Sequence, residues 1–329
     1  ANSAAIKTDG TLWTWGLGDY GGLGNNSTTS AATPVTTFAG GTNWKQVSCG
    51  FYHTAAIKTD GTLWTWGFQV YGELGNGSGG YSGKVTPITT FAGGTNWKQV
   101  SAGAAFTSAI KTDGTLWTWG RGETGQLGNA VTTNRLTPVT TFAGGTNWKQ
   151  VSSGTSIQPS YTAAIKTDGT LWTWGNGANG RLGNAVTTNV STPITTFAGG
   201  TNWKQVSCGG YNTAAIKTDG TLWTWGNGET GRLGNAAITN RSTPVTTFAG
   251  GTNWKQVSDG YQHTAAIKTD GTLWTWGRGD YGGLGNNSAT DRSTPVTTFA
   301  GGTNWKQVSC GYKLTAAVFS GINAEYPLS

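Results

Sequence analysis

The sequence predicts an all-β fold, a propeller of four-stranded blades, and three observations carry that expectation. First, a segment of about fifty residues is repeated six times, a period that belongs to propellers and solenoids. The hairpin segment AAIKTDGTLWTWG begins at Ala4 and returns from Ala55, Ala163, Ala214 and Ala265, with SAIKTDGTLWTWG from Ser108. Its partner FAGGTNWKQVS recurs around Trp44, Trp97, Trp148, Trp203, Trp254 and Trp305. Second, each copy sets Asp-Gly between two apolar runs, a strong short-range hairpin signal. Third, 18 Trp sit at repeat positions in a chain with 55 Gly and only 11% charged residues. Large rings at a fixed period argue against the disorder that Gly-rich, low-charge composition otherwise suggests. A unit this small cannot close its own core, so neighbouring units must bury one another's faces.

Each copy reads as four strands in order. WKQVS is the inner strand, with Trp and Val alternating against Lys and Gln. TAAIK follows, its small residues suited to a crowded axis. The KTDGT turn leads into TLWTW, where period two places both Trp on one face. After a Gly-rich loop, TPVTTF begins at Pro34, Pro87, Pro138, Pro193, Pro244 and Pro295. Proline fits the first residue of an edge strand, so this strand is outermost. A crossover through AGGTN reaches the next inner strand, which is propeller topology. No segment has convincing helical periodicity. Residues 1–329 are expected to be one propeller domain of six near-identical repeats of about 51–55 residues plus a divergent C-terminal part-repeat.

Charge and composition narrow the function classes. The net charge is +7, but twelve of the fourteen Lys belong to the repeat, as in Lys7 and Lys45. Lysines spread around a ring lack the clustered stripe of a phosphate-binding face, so dedicated nucleic-acid binding is not expected. Cys49, Cys208 and Cys310 occupy one repeat position, where other copies carry Ala102, Ser153 and Asp259. Equivalent positions on different blades are poorly placed for a bridge. No apolar run approaches membrane-spanning length. Ala1 opens without an initiator Met or a signal-like stretch, as in a mature product or a fragment.

With the repeat laid out, the chain resembles the regulator of chromosome condensation family of β-propellers. The residues that carry the resemblance are W-G-x-G-x-x-G-x-L-G (Trp15 to Gly24, Trp119 to Gly128), the T-P-V/I start of the outer strand, and V-S-x-G-x-x-H-T-A-A-I (Val47 to Ile57, Val257 to Ile267). The resemblance covers practically the whole chain. It implies a binding platform and favours seven blades slightly over six. The family includes a chromatin-bound exchange factor, β-lactamase inhibitor proteins and many phage and bacterial members, so fold does not fix function. The exchange factor's long charged loops are missing here, and the Trp-rich, Thr/Asn-rich copies are closer to the phage and extracellular versions. The chain has six inner-type strands but seven TAAIK-type strands, counting SAAIK at Ser3 and TAAVF at Thr315. The last inner strand is expected to close the ring beside SAAIK. Alternatively, TAAVF and INAEYPL form a partial seventh blade, or the terminal strands join neighbouring molecules.

The motifs that look chemical have structural readings. G-x-G-x-x-G occurs five times, but a dinucleotide fingerprint needs a helix after it, and here a Pro-bearing strand follows. The six TDGT aspartates offer one carboxylate per turn, too few for a calcium loop. His53 and His263 stand in equivalent slots of separate repeats and are expected to satisfy local backbone bonds. No copy carries a unique set of catalytic partners, so no enzyme, cofactor or metal is expected. The TLWTW pairs suit blade packing better than sugar stacking.

What differs between copies is the loop after WTWG: LGDYGG, FQVYGE, RGETGQ, NGANGR, NGETGR and RGDYGG. Insertions follow Gly75 (NGSGGYSGKV) and Gly154 (TSIQPSY). Loops on a rigid scaffold carry binding. The candidate binding residues are Asp19, Tyr20, Phe68, Tyr71, Glu73, Arg121, Glu123, Arg181, Arg232, Arg278 and Tyr281, of which the tyrosines, the phenylalanine and the arginines are types enriched at interface cores. The expectation is a non-enzymatic binding or structural propeller, outside the cell or on a virion surface. It would engage a protein or a glycan through this loop face, with self-association through terminal strands as an added possibility. The alternatives are an inhibitor of a single enzyme and a carbohydrate-binding lectin.

Overall fold

Six Asp-Gly turns organise the chain. In the first, Asp9 accepts hydrogen bonds from the Thr11 N–H at 2.9 Å and the Thr11 hydroxyl at 2.6 Å, and the Trp13 indole donates to that hydroxyl at 2.9 Å. The same triplet recurs at Asp60, Asp113, Asp168, Asp219 and Asp270. Gly10 is required here: its φ is +80°, and a Cβ would stand 2.0 Å from the Thr42 carbonyl oxygen. The carboxylates are spent on their own turns.

The structure, a computed structural model, describes residues 2–156 and 160–320. The first sheet holds β1 (Asn2–Ile6), β2 (Leu12–Gly16) and β3 (Ala31–Thr36). The second holds β4 (Trp44–Cys49), β5 (His53–Lys58), β6 (Leu63–Gly67) and β7 (Lys84–Thr89), paired antiparallel in that order. Four further four-stranded sheets follow: β8–β11 (97–140), β12–β15 (148–195), β16–β19 (203–246) and β20–β23 (254–297). A two-stranded ribbon of β24 (Trp305–Cys310) and β25 (Thr315–Phe319) comes last. Up-and-down order puts the TDGT turns and the crossovers on one face, here the lower. The loops joining first to second and third to fourth strands lie on the upper face.

The expected seven blades are corrected to six. Five are complete, and β1–β3 form the sixth. The ribbon gains no third or fourth strand from the described residues, so it is not a seventh blade. The last inner strand, β24, pairs with β25 and not with β1, contrary to the expected closure. The segment INAEYPL lies outside the described residues.

A second correction concerns proline. Pro34 is the fourth residue of β3, not its first, and the other outer strands also begin three residues earlier than expected. The strand is still the blade's edge, and the pairing register shifts between Thr14 and Gly16, opposite the proline. A residue without an N–H is tolerated at such an irregularity.

Blades pack through the Trp pairs. Between the third and fourth blades, Ile110 and Leu116 meet Trp148, Val151, Ala164 and Trp174. In the five complete blades the second Trp of the pair, such as Trp66 or Trp174, is fully buried, whereas Trp15 of the first sheet and Trp172 are only partly so. Inner strands are tied around the axis by glutamines. The Gln46 amide donates to the Val100 carbonyl and accepts from the Val100 N–H, both at 3.0 Å, and four more glutamines repeat the pattern.

Candidate binding face

The upper face is assembled from two loop layers held together by backbone. In the second blade the Phe68 N–H donates to the Tyr52 carbonyl at 2.9 Å, and in the sixth sheet the Arg278 N–H donates to the Gln262 carbonyl at 3.0 Å. Each outer loop also leans on the next blade. Gly21, at φ +83°, approaches Val85 so closely that a Cβ would be 2.5 Å from its Cα. Close approach, together with positive φ, explains the G-x-G-x-x-G glycines. The loop tips carry non-glycine residues in the left-handed region: Tyr20 at φ 58° and Tyr281 at φ 64°, with Asn179 and Thr230 alike. Such conformations cost energy and gather at functional positions.

Aromatic side chains run along this face as a connected arc. Tyr20 packs on Phe68 at 4.6 Å and on Tyr52 at 5.5 Å, and Tyr52 packs on Phe51 at 4.5 Å. Phe51 reaches Tyr312 at 6.2 Å, Tyr312 meets Tyr261 at 4.4 Å, and Tyr261 meets Tyr211 at 5.0 Å. The Tyr211 and Tyr261 hydroxyls are 2.7 Å apart. Cations border the arc. The Arg181 and Arg232 guanidinium groups lie 5.4 Å and 5.3 Å from the Tyr211 ring. Lys313 lies 3.8 Å over Tyr281, and Arg121 lies 4.8 Å over Tyr71.

The expected site residues divide into two groups. Asp19, Tyr20, Glu123 and Tyr281 are exposed, while Phe68, Tyr71, Arg121 and Arg278 are half-buried at the surface. Arg121 pairs with Glu123, and Arg278 with Asp280 at 2.6 Å. Glu73, Arg181 and Arg232, expected as surface binding residues, are buried instead. The reason is their place in the loop, where the backbone serves the next blade. The Glu73 carbonyl accepts from the Trp119 indole and the Thr107 hydroxyl, both at 2.8 Å, and the Arg181 carbonyl does the same for Trp225 and Thr213. Burial pushes the Glu73 carboxyl up to about 7. The Arg181 Nε donates to the Ala178 carbonyl at 2.9 Å, bracing the loop tip from beneath.

Phe51, Tyr52, Tyr211, Tyr261 and Tyr312 were not among the expected residues. Their signal was available: the two positions after V-S-x-G vary between copies as much as the outer loop does.

Several buried polar side chains bond between blades. His53 and His263 each meet a threonine of the neighbouring strand set, Thr107 and Thr315, at 2.9 Å, so their bonds run between blades and not locally. Burial pushes both imidazoles down to about 4. Asp259, in the cysteine slot, is buried and pushed up to about 8, accepting from the Thr264 hydroxyl at 2.6 Å and the Asn212 amide at 3.1 Å. Among the described residues no three metal-binding side chains cluster.

A family model for the RCC1-like domain matches residues 82–323, and models for the regulator of chromosome condensation (RCC1) repeat match residues 9–57 and 44–73. The chain belongs to the RCC1 family. It is 32% identical over 326 residues to the ultraviolet-B receptor UVR8 of Arabidopsis thaliana, covering 97% of this chain and 72% of the receptor. It is 28% identical over 322 residues to the E3 ubiquitin-protein ligase HERC2 of Homo sapiens, of which it spans only 7%. The solved structure of human WBSCR16 superposes with a TM-score of 0.84 at 22% identity, covering 97% of this chain and 85% of that one. Prp20p of Saccharomyces cerevisiae gives a TM-score of 0.83 at 18% identity, covering 98% and 81%. At these identities the superpositions establish the RCC1-type propeller fold alone.

Proposed function

We propose that this RCC1 propeller is a non-enzymatic protein-docking module that works through its upper face, outside the cell or on a virion. The aromatic arc from Tyr20 to Tyr211 carries the reading. Tyrosine and arginine, which meet around Tyr211, are among the side chains that dominate protein interfaces. Tyr20 and Tyr281, 40% and 68% exposed on left-handed backbone, are the outward anchors. The family supports the same direction, since the Prp20p structure is described with binding to Gsp1p and histones. A protein inhibitor of one enzyme would be one form of this function.

Peptides selected from a random display library on the immobilised chain test it. Binding that falls at least about tenfold in Tyr20→Ser or Tyr281→Ser supports the assignment, since losing a hot-spot aromatic costs about 2 kcal/mol or more. Selected peptides that ignore both substitutions, or retention on a glycan array in their place, would overturn it.

A further inference from the structure

The lower face has a chemistry that the docking function does not use. Each outer strand runs on into Thr-Phe, and the six phenylalanines that follow β3 and its equivalents are exposed to solvent. Phe38, Phe91, Phe142, Phe197, Phe248 and Phe299 are 66% to 76% exposed. One exposed aromatic ring is ordinary on a protein surface, but the same ring exposed at one repeat position of six blades is a pattern.

Lysines share that end of every blade. Thr36, two residues before Phe38, pairs with Trp13, and the Lys7 ammonium lies 4.2 Å over the Trp13 ring. In the next blade Lys58 lies 4.8 Å from both the Trp44 and Trp64 rings. Lys45 and its five equivalents begin the inner strands at the same end and are exposed. The lower side therefore carries twelve lysines against the six turn aspartates. Elsewhere the described residues set seven arginines, Lys84 and Lys313 against seven acidic residues, so most of the net positive charge of the described residues belongs to the lower side.

We propose that the lower face docks on an anionic lipid bilayer. The phenylalanines would enter the headgroup boundary while the lysines meet the lipid charge. Apolar insertion and basic attraction together give stable attachment where either alone is marginal. Exposed apolar rings beside a net positive charge, repeated blade after blade, are the complement of an anionic surface with an apolar interior. A nucleic-acid strand would reach only a few blades at a time. No helix among the described residues is long and apolar enough to cross a membrane, and the proposal is of surface attachment.

Co-sedimentation with phosphatidylcholine vesicles, with and without phosphatidylserine, tests this. The chain should partition onto the phosphatidylserine vesicles and leave the neutral ones in solution. The triple variant Phe91→Ser, Phe142→Ser and Phe197→Ser, all at exposed positions, should retain its melting temperature and lose at least about tenfold in partitioning. Lys98→Gln with Lys149→Gln and Lys204→Gln should lower binding and reduce its salt sensitivity. Absence of binding to anionic vesicles would overturn the proposal. So would vesicle binding unchanged by the phenylalanine substitutions, or an oligonucleotide bound more tightly than the vesicles. Peptide binding at Tyr20 and Tyr281 should survive all six changes, which separates this failure from that of the upper-face assignment.

Discussion

Trp174→Ala is the perturbation that most directly probes how the blades cohere. The indole is fully buried, stands edge-on to Trp148 at 6.1 Å, and donates to the Gln126 carbonyl of the preceding blade at 2.9 Å. Truncating a buried aromatic costs about 3–5 kcal/mol, and the lost hydrogen bond adds about 1 kcal/mol. The Gln126 carbonyl keeps the Thr162 hydroxyl at 2.8 Å, so it is not left bare, and a total of about 4–6 kcal/mol follows. Trp172 shares the strand face and also touches Trp148, at 6.2 Å, but it is partly exposed and bonds only within its own turn. The sequence alone points to Trp172→Ala as a change of about 3–5 kcal/mol; partial burial lowers that to about 1–2 kcal/mol. Guanidinium unfolding of both variants, compared at matched slopes, measures the difference. Equal losses, or a larger loss for Trp172→Ala, would show that the interblade contact is not what holds the ring.

Three more outcomes follow from the interior. Asp259, raised to about 8, holds its proton in the folded state between roughly pH 4 and 8 while the unfolded chain has lost it, so it makes stability fall as pH rises through that window. His53 and His263, lowered to about 4, act oppositely between roughly pH 4 and 6.5, where the unfolded chain binds their protons. Urea unfolding across this range should show opposing slopes in the native chain, and Asp259→Asn should gain on the order of 3 kcal/mol near pH 8 and abolish the fall between about pH 7 and 8, leaving at lower pH the histidine rise opposed by Glu73, raised to about 7. Gly128→Ala should destabilise by about 1–3 kcal/mol, because its φ is +66° and a Cβ would stand 2.6 Å from the Trp174 Nε1; a melting temperature like that of the parent would refute the close contact. Burial pushes all three thiols up to about 12, so labelling by a thiol reagent should be slow until the chain is denatured, with Cys208, 3% exposed, the slowest.

Much of the fold was legible because its determinants are local. Asp9 and Gly10 fix a turn by their own hydrogen bonds and φ, and period two assigns Trp13 and Trp15 to one face whatever the neighbours do. Blade number was not local: it turned on whether β24 and β25 gain further strands at the far ends of the chain, and β1 and β25 offer β24 small-residue strands of the same type. The variable loop face was legible in outline, since copies differ where packing is permissive. It was misread at Glu73, Arg181 and Arg232, because their variable side chains conceal a constant duty of the backbone carbonyl beneath them.

The lower face shows the converse. Phe38 reads in sequence as one more apolar residue of an outer strand, and no spacing rule distinguishes it from a buried one. Only the bend into the crossover, where the Phe38 N–H donates to the Gly24 carbonyl at 2.8 Å, turns the ring outward. The repeat thus separates two surfaces by strand direction alone. Loops that follow upward strands are free to diverge from copy to copy, while every outer strand leads downward to the same exposed phenylalanine. Identity between blades therefore has two sources, packing for the tryptophans and a shared surface for the phenylalanines, and exposure is what tells them apart.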